Sequence, residues 1–208
     1  MARATRRTDG LVCVILAAGG SSRLGAPKQL VRHRGRALVR RAADAAEAAG
    51  LPPVVVVGAD ALRVRALLAR SHPRAVVVGN ARWADGLATS LRRALTAVPR
   101  DARAVLFMLA DQPLVDAGSL ARLIEAWRRR PSQAAAARYA GRLGVPAIIP
   151  RRAWAELRAL SGDVGARRLL ERAPRVTEVD LPEAAFDVDT PEDLARLASG
   201  RHEGALAR

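Results

Sequence analysis

Apolar and polar residues follow one another in blocks along this 208-residue chain. Residues 1–10 are polar and basic and read as a disordered tail. Leu11–Ala17 is then an uninterrupted apolar run, which predicts a buried strand. Ala37–Ala49 has the spacing of a helix closed by Gly50. Val54–Gly58 is a continuous β-branched run, the pattern of a parallel strand covered on both faces. The alternation goes on with a helix over Ala61–Arg70, a strand over Ala75–Gly79, a helix over Leu87–Val98 and a strand over Ala104–Ala110. A helix over Ser119–Arg130 follows, with Pro131 just beyond its end.

The second half changes character. Ala134–Tyr139 and Val145–Ile149 read as two strands joined by the turn-rich Ala140-Gly141-Arg142-Leu143-Gly144. Helices are expected at about Ala153–Leu160 and Val164–Arg172, and a strand at Arg175–Leu181. A last helix opens at Thr190-Pro191, with Thr190 as cap and Pro191 in the first turn. Strands alternating with helices predict an α/β chain with a mainly parallel sheet and helices on both faces. No Pro-, Gly- or Ser-rich linker divides it and no repeat is visible, so 11–200 reads as one domain and 201–208 as a C-terminal tail.

Composition narrows this picture. Half the residues are hydrophobic but only 3% are aromatic, so the core must be built from Ala, Val and Leu. The single cysteine, Cys13, lies inside the first strand, where it suits core packing and cannot form an internal disulfide. With no Cys/His spacing of a zinc site, the chain reads as a cytoplasmic protein of a reducing compartment. Arg6-Arg7 before the apolar run superficially resembles an export signal. Cleavage there would destroy the first strand, so export is the weaker reading. No run approaches the ~18 apolar residues of a membrane span, and no membrane partner is expected. The formal charge of +15 comes from arginines spread along the whole chain. Aromatic residues for base stacking are scarce, which disfavours a nucleic-acid partner and leaves a polyanionic small substrate compatible.

Lys28 is the only lysine among 35 basic residues. An ammonium is a compact charge on a flexible stem, and it fits a crowded phosphate pocket that a guanidinium fork does not. Lys28 closes the segment from Leu16 to Lys28, which leaves the first strand through Gly19-Gly20 and interleaves Arg23 and Lys28 with Gly25. A glycine-rich loop after a strand turns backbone N–H groups toward anions. The spacing is neither the dinucleotide nor the P-loop motif. A second feature is Asp111-Gln112-Pro113, just beyond the carboxyl end of the fourth long strand, where open α/β sheets gather ligands. A carboxylate there suits Mg²⁺, which takes one or two carboxylates plus substrate phosphates. Each feature alone also fits an ordinary turn.

Taken together, these segments resemble the molybdenum cofactor cytidylyltransferases of the molybdopterin nucleotidyltransferase-like family. The family loop L-A-A-G-x-S-x-R-x-G-x-x-K matches Leu16–Lys28 at every specified position. Asn80 to Leu91 is similar to its N-x-x-W-x-x-G-x-x-x-S segment. Asp111-Gln112-Pro113, Gly162 to Arg167 and Asp187 to Asp193 also match, in order, over about residues 11–197. The loop alone is shared with sugar-nucleotide and isoprenoid-pathway cytidylyltransferases.

The resemblance implies a Rossmann-like nucleotidyltransferase domain and a Mg²⁺-dependent enzyme. It would transfer CMP from CTP to the terminal phosphate of molybdopterin, releasing pyrophosphate. It implies Arg23, Lys28 and Asp111 as catalytic residues. Leu16, Ala17, Ala18, Gly19, Gly20, Ser21, Ser22, Asn80, Gly86 and Ser90 would bind nucleotide. Asp111 and Asp189 would bind metal, although Asp189 fits a buttress of the following helix equally well. Tyr139, Gly144, Pro146, Asp163 and Arg167 would meet the acceptor, with an internal Asp163–Arg167 contact as the alternative for that pair. Val145 departs from the family pattern, which more often has histidine there. A molybdenum hydroxylase apoenzyme or its maturation chaperone is the implied protein partner. Trp83 reads as structural. His33, His72 and His202 fall in polar loops or the tail. The rival readings are a guanylyltransferase on the same cofactor, which Ala18 in place of a second glycine disfavours, a sugar- or polyol-phosphate nucleotidyltransferase, and a basic nucleotide- or RNA-binding protein.

Overall fold

The computed structural model describes residues 10–200; of the two expected tails, 1–10 and 201–208, residues 1–9 and 201–208, with His202, lie outside the described residues. The elements run β1 (Leu11–Ala17), a small hairpin β2 (Arg32–His33) and β3 (Arg36–Ala37), α1 (Leu38–Ala48), β4 (Pro53–Val57), α2 (Ala61–Ser71), β5 (Val76–Gly79), α3 (Leu87–Ala97) and β6 (Ala104–Leu109). They continue with α4 (Ala117–Arg128), β7 (Ala134–Tyr139), β8 (Arg142–Pro150), α5 (Trp154–Ala159), α6 (Ala166–Arg172), β9 (Val176–Asp180) and α7 (Pro191–Ala198).

Seven strands form one sheet in the order β5-β4-β1-β6-β8-β7-β9. β5, β4, β1 and β6 are mutually parallel. β8 runs antiparallel to both β6 and β7, and β9 pairs parallel with β7. The central strands are apolar at every position because both of their faces are covered. On β1, Leu11, Cys13, Ile15 and Ala17 pack against α1, α2 and α4 through Val39, Leu68, Leu123 and Trp127. Val14, Leu16 and the following Ala18 pack on the other face against Leu91 and Leu95 of α3, Trp154 and Leu157 of α5, and Leu169 of α6. Burial pushes the Cys13 thiol up to about 12, so it is an inert core group. Among the described residues no helix is long and apolar enough to cross a membrane.

Element boundaries moved where local hydrogen bonding outweighed hydrophobic pattern. α4 starts at Ala117 rather than Ser119, because the Asp116 side chain accepts from Ser119 N–H at 2.9 Å and forms a capping box with it. β8 begins at Arg142, so the β7–β8 connection shrinks to Ala140-Gly141, both at positive φ (46° and 71°), the conformation a two-residue hairpin turn demands. The hairpin β2–β3 turns at Arg34-Gly35 with the same signature (48° and 77°); two-residue strands made of Arg, His and Ala carry no readable alternation. His33 and His72, expected in polar loops, are buried. His72 lies between Ser71 Oγ, 2.9 Å from Nδ1, and Asp44, 3.1 Å from Nε2.

Phe107 is fully buried on β6, among the side chains that cover the α3/α5/α6 face. Phe107→Ala is expected to cost about 3–5 kcal/mol, the range for a large aromatic removed from a close-packed core, read as a shift in the urea midpoint at unchanged slope.

Candidate active site

β1 and β6 end side by side, with Ala110 N–H donating to the Leu16 carbonyl at 3.1 Å. The chain leaves β1 through Ala18-Gly19-Gly20 into a loop that local bonds fix. Lys28 N–H donates to Ser21 Oγ at 2.9 Å, and buried Gln29 donates from Nε2 to the Gly19 carbonyl at 2.7 Å. Leu24 anchors the loop in a third small cluster with Leu38, Phe186, Val188 and Leu197. The loop bounds a cleft of about 740 Å³ whose other walls come from Trp83–Leu87, Ser90 and three aspartates at positions 111, 187 and 189. Gly20 cannot be larger, since a Cβ there would lie 2.8 Å from the Trp83 ring.

The aspartates converge because Val188 N–H donates to the Asp111 carbonyl at 2.9 Å. Phe186 and Val188 turn inward to the third cluster, and the alternating Asp187 and Asp189 turn to the cleft. Lys28 Nζ contacts Asp111 Oδ2 and sits 2.9 Å from Asp189 Oδ1, while Arg23 Nη2 is 2.9 Å from Asp189 Oδ2. Partial burial opposes charge on Lys28, yet the charge and hydrogen bond of Asp111, with those of Asp189, outweigh it and hold the ammonium above the usual lysine pKa. Partial burial likewise opposes charge on Asp189, but Lys28 and Arg23 hold its carboxyl below the usual range. Asp187 is pushed the other way, up to about 7, by poor hydration within the cleft and by repulsion from Asp111 and Asp189. Its side chain still opens to solvent, and the neighbouring negative charge of Asp111 and Asp189 disfavours its ionised form.

Of the expected nucleotide residues, Leu16, Ala17, Ala18, Gly19, Gly20, Gly86 and Ser90 line this cleft, together with Arg23, Lys28, Asp111 and Asp189. Ser21 acts as a loop brace, and exposed Ser22 is not among the lining residues. Asn80 is not among the lining residues: it is buried and its polar atoms are bonded inside the fold. Its Nδ2 donates to Thr89 Oγ1 (2.9 Å) and Ser90 Oγ (3.0 Å), and its Oδ1 accepts from Arg82 N–H (3.0 Å). It thereby fixes Ser90, which lines the cleft. Trp83 is both a packing residue and a cleft wall.

The expected acceptor residues separate into two places. Tyr139, Gly144 and Arg167 line a smaller, largely apolar pocket of about 170 Å³ that shares Leu16, Leu87 and Leu109 with the main cleft. Gly144 leaves room for Tyr139 there, since a Cβ would lie 2.1 Å from its hydroxyl and displace the ring. Asp163 instead lines the main cleft and accepts from Leu87 N–H at 3.3 Å, at the start of α3. Arg167 pairs with Glu171 at 2.7 Å, not with Asp163. Pro146 is buried within β8 after a cis peptide bond and is not among the residues lining either cavity. Thr190 and Asp193 form the capping box of α7, Asp189 N–H also donates to Asp193 Oδ2 at 3.1 Å, and the Asp189 side chain lies in the cleft against Lys28 and Arg23.

Two cleft-lining residues were given no role from the sequence, Asp187, although it opens a quoted motif, and Gln29. The i, i+2 spacing of Asp187 and Asp189 around apolar Val188 was the available signal for the first; nothing local marked Gln29. For a divalent cation the donor set is partial. Among the described residues no group of three His, Cys, Asp or Glu is arranged around one point. Asp111 and Asp189 share one cationic partner, and Asp111 Oδ1 is buried without a hydrogen-bond partner. A pair of carboxylates with spare acceptor capacity fits Mg²⁺ or Mn²⁺ when substrate oxygens complete the shell.

Residues 13–177 match the family described as the MobA-like NTP transferase domain. A protein named nicotine blue oxidoreductase from Paenarthrobacter nicotinovorans is 36% identical over 199 residues, covering 88% of this chain and 94% of that one. Phosphoenolpyruvate guanylyltransferase from Rubrobacter xylanophilus is 36% identical over 191 residues, covering 88% and 89%. The crystal structure of Rv0371c from Mycobacterium tuberculosis H37Rv superimposes with a TM-score of 0.78 at 34% identity, covering 91% and 97%. That protein in complex with manganese superimposes with a TM-score of 0.73, again at 34% identity, covering 91% and 98%.

Gly86 is the tightest point of the cleft wall. It has φ 105°, and a Cβ would lie 2.3 Å from the Gly162 backbone. Gly86→Ala is expected to cost more than about 2 kcal/mol from backbone strain and the clash together. Asp163→Ala is expected to cost about 1 kcal/mol, as loss of a helix-start acceptor does. Chemical denaturation of both variants checks the ranking.

Proposed function

The chain belongs to the MobA-like NTP transferase family and is a nucleotidyltransferase of that family; we propose that it transfers CMP from CTP to the terminal phosphate of molybdopterin. The observation that carries this reading is the meeting of Lys28 and Arg23 with Asp111 and Asp189 in one cleft at the carboxyl ends of β1 and β6. A phosphate oxygen of the acceptor attacks the α-phosphorus of the nucleotide in line. The bond from the α-phosphorus to the bridging oxygen breaks, and pyrophosphate leaves with that electron pair. Such a reaction needs little covalent help and much positioning and charge neutralisation.

In this reading the backbone N–H groups of Ala18–Ser22 cradle the triphosphate, and Arg23 and Lys28 hold its β- and γ-phosphates. Both cations then oppose the charge that builds on departing pyrophosphate. Asp111 and Asp189 would hold Mg²⁺, and the manganese complex of the related Rv0371c is consistent with a divalent ion. When bound, that ion supplies further neutralisation of phosphate charge. Gly86 and Ser90 face the nucleoside end of the cleft. The acceptor is assigned to the adjoining apolar pocket, where Tyr139, Arg142 and Arg167 offer polar contacts at its rim. A molybdenum hydroxylase or its chaperone would take the product.

A second reading pairs GTP with a small phosphorylated acid, because the guanylyltransferase relative is named for phosphoenolpyruvate and two arginines line a pocket of only about 170 Å³. Ala18 favours the first reading. It is buried, its carbonyl accepts from Ala59 N–H at 3.2 Å, and its Cβ occupies room beside the cleft.

Three outcomes are expected. Purified protein with Mg²⁺, each NTP and either acceptor should release pyrophosphate fastest with CTP and molybdopterin. The kcat/KM preference over GTP should be about ten- to a hundredfold, the ~1–3 kcal/mol of a small steric difference, and Ala18→Gly should narrow it. Faster reaction with GTP and phosphoenolpyruvate would establish the second reading. Asp111→Asn should remain folded and lose about a hundredfold or more in turnover; full activity at low Mg²⁺ would remove Asp111 from the site.

A further inference from the structure

Every side chain assigned above to the triphosphate is already paired with one assigned to the metal. Lys28 Nζ bridges Asp111 Oδ2 and Asp189 Oδ1, and Arg23 holds Asp189 Oδ2. The cleft is therefore neutralised from within. We propose that Lys28 is the resident counter-ion of the Asp111–Asp189 pair and changes partners on substrate binding, so that divalent cation and nucleoside triphosphate each bind weakly alone and tightly together. The inference rests on the nucleotidyl-transfer reading and adds the order imposed on its ligands.

Four observations support the exchange. First, the ammonium stands between the two carboxylate oxygens that a bridging cation would use. Mg²⁺ requires oxygens at about 2.0–2.1 Å, so lysine and metal cannot share them without a +1 and a +2 charge a few ångströms apart. Second, the pair is shielded, with side chains of Lys28 and Asp111 only 19% and 12% exposed. Stripping either partner without replacement leaves an uncompensated charge, which is costly in such a place. Third, Asp111 keeps a buried unpartnered oxygen, Oδ1, so the lysine satisfies that carboxylate incompletely. Fourth, Asp187 adds a third carboxyl group to the same cleft. A triphosphate arriving without metal meets those carboxylates, and a metal arriving without triphosphate must evict the lysine.

Arriving together, each ligand removes the obstacle to the other. Asp111 and Asp189 would then hold the metal, and the released Lys28 ammonium would follow its flexible stem to the phosphates. Lysine suits this turn better than arginine, whose planar fork is less compact, and Lys28 is the one lysine in a chain otherwise basic through arginine. Linkage makes the coupling reciprocal: the factor by which nucleotide tightens metal equals the factor by which metal tightens nucleotide.

The test measures Mn²⁺ binding by electron paramagnetic resonance, with and without the non-reactive analogue α,β-methylene-CTP. In the wild type the analogue should tighten Mn²⁺ about tenfold or more. Because phosphates ligate metal themselves, the decisive measurement is the binary one. Lys28→Met should bind Mn²⁺ alone about tenfold more tightly than wild type, since it removes the competing charge, and should bind the analogue alone more weakly. Mn²⁺ should also raise the melting temperature of Lys28→Met by more than it raises that of wild type. Should the methionine variant fail to fold, Lys28→Gln, uncharged but able to donate to both carboxylates, should show the same direction. Unchanged or weaker binary Mn²⁺ affinity in the folded variant overturns the counter-ion role. Failure of the analogue to bind wild type even with Mn²⁺ overturns instead the nucleotide reading on which the exchange rests.

Discussion

A backbone hydrogen bond of 2.9 Å, from Val188 N–H to the Asp111 carbonyl, decides where the charges of this molecule meet. It docks a segment near the C-terminus against the end of β6, in the middle of the sheet. The docked segment is extended, so its side chains alternate: Phe186 and Val188 seal a small apolar cluster with Leu24 and Leu38, and Asp187 and Asp189 look into the cleft. The same cluster fixes Leu24 of the glycine-rich loop, so the two walls of the site share one anchor.

The scaffold behind the junction is rigid for an ordinary reason. The strands β4, β1 and β6 are apolar on both faces and run parallel, which places two of their carboxyl ends, those of β1 and β6, at the cleft floor. Small side chains suffice because alanine and valine pack closely between sheet and helices. Polar groups beside the cleft are spent on holding its shape: Asn80 on Thr89 and Ser90, Asp163 on the start of α3, Gln29 on the Gly19 carbonyl. What remains unspent is charge, and it is balanced within the cleft.

That balance separates this site from a simple anion hole. Lys28 and Arg23 would attract phosphate strongly if they stood alone; here they face three aspartates. Ligand recognition then depends on replacing ion pairs rather than on adding contacts, which favours a ligand that brings both signs of charge. A metal-bound triphosphate is such a ligand. The sequence relatives carry names for different reactions, so the family fixes the chemistry of the cleft more firmly than the identity of the acceptor.

The chain by itself determined the α/β architecture and much of the cleft floor. The apolar run of β1, the β-branched run of β4 and the run ending at Asp111 are each buried on both faces, and such strands write themselves into sequence. Arg23, Lys28, Asp111 and Asp189 stood out in the sequence only through the motifs they share with a known family, since each alone also fitted an ordinary turn or a helix buttress; the structure brings the four to one cleft. Contacts distant in sequence were not legible. Asn80 read as a ligand residue because its partners, Thr89 and Ser90, are chosen by the packing of α3 on the sheet. Nor does anything local show that the loop of Asp163 crosses Gly86 and bonds the start of α3. The two buried histidines looked polar because their cover comes from other elements. Above all, only the tertiary structure decided that Lys28 lies between two carboxylates far from it in the chain, since charge pairing across the sheet follows distance in space and leaves no periodicity in sequence.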